Sequence, residues 1–173
     1  LKVDKITGKS LSTNDFTDAY KNRLIKTVCS IYKSAQDSTV VNGPINEQIL
    51  LAIPVTAGDI SVDDIIDMIF NFKITGINGQ KVIKILWNTT AVLLSAATIG
   101  FYNITSSRRA ETMKRKMSIK STSNVEVVNT GISILNDELG STSQMSNLNI
   151  DMTVGGYLLV TTTNASPLDS ITI

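Results

Sequence analysis

From Ile85 to Ser107 the chain runs for 23 consecutive residues without a charge, and Arg108-Arg109 follows at once. Such a segment must leave water, either into a protein core or into a bilayer. Its length and basic flank are those of a stop-transfer span. Its composition is not. Asn88, Thr89, Thr90, Ser95, Thr98 and Asn103 would carry polar side chains into hydrocarbon, where each is costly. The segment therefore reads as core: the end of a helix followed by a buried strand over 91–104.

The rest of the chain supplies partners for that core. At 173 residues a single domain with its own interior is expected. Residues 1–7 read as a short strand. Phe16, Tyr20, Leu24, Val28 and Tyr32 recur at helical spacing. "INEQILLAIPV" (45–55) reads as a strand ending at Pro54. Ser61 opens "SVDD", a capping sequence with acids in the first turn. It leads into a helix "VDDIIDMIFNF" with Val62, Ile65, Ile66, Ile69 and Phe72 on its apolar side. Gly76 and Gly79 break the chain before a second helix over 80–88. Beyond residue 124 the segments are strand-like, with a terminal hairpin over 147–164 that bends at Gly155-Gly156. The expected class is α+β: one domain, residues 1–173, in which an antiparallel β-sheet packs against a few α-helices, with a basic loop at 105–123.

Little of this chain is equipped for catalysis. It has no histidine and one cysteine, Cys29, which excludes a thiolate–imidazole pair, a Cys/His zinc site and an intrachain disulfide. Asp63, Asp64 and Asp67 are close in sequence, but Mg²⁺ binding or acid–base work needs carboxylates converging from elsewhere; they read as the acidic first turn of a helix. "GINGQK" lacks the spacing of a phosphate loop, and the sequons at Asn88, Asn103 and Asn164 carry no weight in a chain this rich in Thr and Asn. No catalytic residue, metal or cofactor is expected.

The charge distribution is more informative. The formal net charge is +1, yet residues 106–120 hold Arg108, Arg109, Lys114, Arg115, Lys116 and Lys120 against the single acid Glu111, a local +5. The remainder carries ten basic and fourteen acidic residues, or −4. Such a cluster gains about 1 kcal/mol per Lys or Arg beside an anionic bilayer, and binds nucleic-acid phosphates by counterion release. Met113 and Met117, four apart, could insert into a bilayer if the loop became helical on contact. No aromatic residue is interleaved to stack on bases. Charge alone leaves lipid and RNA both open, and a solvated connector as well.

In the order of its elements the chain resembles the matrix proteins of rhabdoviruses, especially those of plant-infecting members. The resemblance is carried by "DISVDDIIDMIFNF", by "TGINGQK" leading into "KVIKIL", by "NVEVVNTGISILNDEL" and by "GYLLVTTTNASPLDSI". It implies a non-enzymatic structural protein of the virion, lying beneath the envelope and on the inner face of host membranes. The partners it implies are further copies of the chain, an anionic membrane surface, the nucleoprotein–RNA of the nucleocapsid and the tail of an envelope glycoprotein, with no small-molecule substrate. A soluble RNA-binding regulator using the same basic stretch is the other reading. The family's Lys-rich N-terminal arm and Pro-rich budding motif are not seen: the prolines are Pro44, Pro54 and Pro167. Leu1 in the first position leads us to expect a segment ahead of it.

Overall fold

The computed structural model describes residues 41–42, 46–76, 79–104, 110–128, 145–166 and 168–173, with the single positions 32, 34, 38 and 133. The chain divides into two compact units, Leu1–Lys33 and Ser34–Ile173, and every element below belongs to the second. The strand expected over 1–7, nearly all of the helix expected from Phe16, and Cys29 lie outside the described residues.

The described residues form ten strands and no helix: β1 (Val41–Asn42), β2 (Gln48–Val55), β3 (Ile65–Thr75), β4 (Lys81–Asn88), β5 (Ala97–Ile104), β6 (Ala110–Ser121), β7 (Asn124–Val128), β8 (Met145–Leu148), β9 (Gly156–Thr163) and β10 (Ser170–Thr172). They make two sheets, ordered β1-β10-β3-β6-β7-β8 and β2-β9-β4-β5. Every neighbouring pair is antiparallel. The α+β expectation is therefore wrong for this body, which is all-β.

Both expected helices are strands, for reasons visible in the residues. Over β3, Met68, Phe70, Phe72 and Ile74 are buried, while Asp67, Ile69, Asn71 and Lys73 between them are exposed. That is the two-residue period of a strand with one face on the core. The "SVDD" capping sequence makes a turn instead: the Ser61 amide donates to the Asp64 carboxylate at 2.7 Å, and Asp63 takes a left-handed φ of 71°. Asp and Ser favour such local side-chain bonds in turns as readily as at helix starts. Pairing with β6 begins at once, through Asp63 N–H to Ile119 O at 2.8 Å and Ile119 N–H to Asp64 O at 2.9 Å. The second expected helix is β4, which lies between β9 and β5. Ile83, Ile85 and Trp87 are buried on one face, and on the other Leu86 is buried while Val82, Lys84 and Asn88 are half-buried. A strand in that position reads as a nearly continuous apolar run, without the alternation that would reveal it.

Two further expectations need correcting. Only the second half of the strand expected over 91–104 is extended: residues 89–96 fold back under Asn88, whose Nδ2 donates to the carbonyls of Val92 (2.8 Å) and Leu94 (2.9 Å). The hairpin expected over 147–164 does not form either. β8 pairs with β7 at the edge of the larger sheet, while β9 lies between β2 and β4 in the smaller one.

The two sheets meet across a core of Met68, Phe70, Phe72, Met113, Met117, Ile119, Val125 and Val127 from the larger and Ile83, Ile85, Leu158 and Val160 from the smaller, all buried. Arg115 of β6 crosses this seam. Its Nη2 donates to the Phe101 carbonyl of β5 at 2.9 Å. The guanidinium lies over Gly100, where a Cβ would stand only 2.8 Å from Nε, so glycine is what lets the sheets approach there. A second polar tie joins β4 to the chain entering β10: Lys81 Nζ is 3.2 Å from Asp169 Oδ1, with both side chains fully buried.

Candidate functional site

The pleat that sends Met113, Arg115 and Met117 inward sends their neighbours outward. β6 alternates strictly, so Lys114 and Lys116 leave on the opposite face and remain exposed, as does Lys120 beyond the small irregularity after Ile119. The partner strand β3 places Ile65 opposite Ser118, Asp67 opposite Lys116, Ile69 opposite Lys114, Asn71 opposite Thr112 and Lys73 opposite Ala110. The outer face of β3 and β6 thus carries lysines beside two isoleucines. Ile65 is 65% exposed and Ile69 62%, unusual values for isoleucine in the middle of a sheet.

Two ion pairs cross this face. Lys116 lies 3.4 Å from Asp67, and Lys120 is 3.1 Å from Glu126 of β7. Asp67 and Lys116 are both more than half exposed, so their pairing is worth about 1 kcal/mol at most. Lys73, Lys114, Lys116 and Lys120 stand against Asp67 and Glu126 on the outer face of these three strands, a surplus of two positive charges. Thr112 Oγ1 donates to Asn71 Oδ1 at 2.8 Å, a neutral cross-strand pair that helps to hold the register.

The residues singled out from the sequence are split by this geometry. Lys114, Lys116 and Lys120 share the outer face. Arg115, expected beside them, is 3% exposed and ties the sheets together. Met113 and Met117, expected to be available for insertion, are 0% and 1% exposed and are core residues. The physical reason is the same for all three: residues 110–121 are a strand in the interior of a sheet, and every second side chain points inward. Arg108 and Arg109 lie outside the described residues. Sequence reasoning missed Ile65, Ile69 and Lys73 as surface residues because a helical period places both isoleucines on the apolar side. The alternation "MIFNFKI" was the signal that could have corrected it.

The acids singled out from the sequence are not gathered into one site. Among the described residues no three His, Cys, Asp or Glu side chains converge to hold a metal ion. Asp63 and Asp64 serve the turn before β3, and Asp67 stands on the lysine face. An open depression of about 390 Å³ lies between Pro54–Ala57, Thr89 and Val154–Tyr157. Its only ionisable lining group is the Tyr157 phenol, so it lacks the convergent polar groups of a reactive site. Among the described residues no helix is long and apolar enough to cross a membrane. The uncharged run from Ile85 to Ser107 supplies the second half of β4, a folded connection and β5.

No family model matches the chain, and neither a curated protein nor a solved structure is similar to it.

Proposed function

We propose that the chain is a non-enzymatic structural protein of the matrix type, which attaches to an anionic membrane surface through the outer face of β3, β6 and β7. The observation that supports this most is the company the lysines keep. Lys114 and Lys116 stand next to Ile65 and Ile69, which the fold leaves in water. A lysine–aliphatic surface suits the bilayer interface, where the aliphatics enter the headgroup layer and the ammonium groups rise to the phosphates. It suits single-stranded nucleic acid less well, because the aromatic residues of these strands, Phe70 and Phe72, are buried and cannot stack on bases. Self-association, nucleocapsid condensation and a place beneath a viral envelope belong to the same proposal. They rest on the resemblance of the sequence to rhabdovirus matrix proteins.

The test is co-sedimentation with vesicles of neutral or phosphatidylserine-containing lipid across a salt series, with RNA as competitor. Binding that requires anionic lipid and fades as salt rises is expected. Firm RNA binding without lipid binding would replace this proposal by a soluble RNA-binding regulator. Binding to neither would leave the face without an anionic partner and remove the proposal.

A further inference from the structure

The buried ion pair at the start of β4 has the composition of a reactive cluster. Lys81 and Asp169 are fully buried 3.2 Å apart, yet the contact lacks the alignment of a hydrogen bond, and among the described residues Lys81 Nζ, Asp169 Oδ1 and Asp169 Oδ2 have no hydrogen-bond partner. A third polar side chain, Asn164, is 2% exposed and donates from Nδ2 to the Asp169 carbonyl at 3.3 Å. Val82 pairs with Thr163, so one step further along the ladder Lys81 stands opposite Asn164, where side chains of an antiparallel pair meet. On its other side Lys81 pairs with the fully buried Ile104. Gly76, φ +78°, closes the cluster: a Cβ there would fall 1.9 Å from Asp169 Oδ1. An amine, a carboxyl and a carboxamide are thereby gathered out of reach of the surface, at 0%, 1% and 2% exposure.

We propose that Lys81 and Asn164 form an intramolecular isopeptide bond, with Asp169 as the proton carrier. In the first step one proton passes from Nζ across the 3.2 Å contact to the Asp169 carboxylate. The neutral amine then attacks Asn164 Cγ. Asp169 gives its proton to Nδ2 and takes one of the two protons left on the former lysine nitrogen. The oxyanion collapses, the Cγ–Nδ2 bond breaks and ammonia leaves, followed by the proton from Asp169 as ammonium. No oxidant, metal or cofactor is needed. The product is an amide between β4 and the end of β9, closing most of the body into one covalent ring.

Intact-mass spectrometry of the purified, denatured full chain decides the matter. A mass one ammonia below that of the sequence is expected, together with a proteolytic digest containing one branched peptide that joins the segments around Lys81 and Asn164. The full sequence mass after prolonged incubation of the folded protein would overturn the proposal. So would a missing water, which points to a bond at Asp169 itself, or a missing ammonia confined to the Asn164 peptide, which is a cyclic imide with Ala165. Asp169→Asn, where it folds, is expected to restore the full mass; a deficit that persists in it would remove Asp169 from the chemistry. The wild-type mass is decisive even where the variant does not fold.

Discussion

If the outer face of β3 and β6 lies against an anionic bilayer, two substitutions on it should move binding in opposite directions by similar amounts. Asp67 and Lys114 are diagonal neighbours on adjacent strands, one from each of the Asp67–Lys116 and Ile69–Lys114 pairs, and both are exposed. Asp67→Asn removes the acid beside Lys116 and raises the surplus charge of the face by one. Lys114→Gln lowers it by one. At about 1 kcal/mol per charge near the surface, each change is worth about fivefold in the partition coefficient. Asp67→Asn should bind phosphatidylserine vesicles about fivefold more tightly, Lys114→Gln about fivefold more weakly, and the double variant should return close to wild type. Stability should hold throughout. Asp67 and Lys116 contribute an exposed pair, and substitutions at exposed positions stay within about 0.5 kcal/mol. The assay is vesicle co-sedimentation at low salt, with urea denaturation run in parallel. Unchanged or weakened binding by Asp67→Asn would mean that this face does not feel the bilayer, and the assignment would fall.

Three other outcomes follow from the same structure. Ile69→Asn should weaken vesicle binding while leaving the urea midpoint nearly unchanged, because Ile69 is 62% exposed and its side chain is buried only on contact. Met117→Ala should cost about 2–5 kcal/mol of stability in urea denaturation, the usual result of truncating a fully buried side chain, with lipid affinity of the folded protein unaltered; a selective loss of lipid binding would return Met117 to the surface. Gly100→Ala should lower stability by about 1–3 kcal/mol, since a Cβ 2.8 Å from Arg115 Nε displaces a buried guanidinium from the Phe101 carbonyl. Thermal melting would show it, and an unchanged melting temperature would refute the close approach of the sheets.

Parts of this architecture were legible in the residues. The strand ending near Pro54 is β2, and Pro54 fits there because β2 is an edge strand. The bend at Gly155-Gly156 is present, with both residues at positive φ as β9 begins. The helices were misread where two periods coincide: Val62, Ile65, Ile66, Ile69 and Phe72 satisfy a helical stripe, and Phe70, Phe72 and Ile74 satisfy a strand. Local pattern cannot choose between them. The choice is made by pairing with β6, whose partners lie from 37 (Lys73–Ala110) to 53 (Ile65–Ser118) positions away in sequence.

The same ambiguity governs the candidate site. A run of six basic residues has no periodicity as charge, and as charge alone it suggests a loop. Its second component, the interleaved Met113, Met117 and Ile119, has the period of a strand and decides the structure. Once the strand forms, the cluster is sorted by parity: Arg115 goes inward to a carbonyl of the other sheet, and Lys114 and Lys116 go outward. The outward pair then acquires what the sequence does not display, two exposed isoleucines from β3 and a neutralising aspartate. A surface that was expected to act through charge and methionine therefore acts, in the proposed function, through lysine and isoleucine. Its strength is set by register, because a one-residue slip of β6 against β3 would exchange the lysines for Arg115 and the methionines. The Asp63–Ile119–Asp64 backbone bonds that start the ladder pin that register, so the turn before β3 positions the whole face.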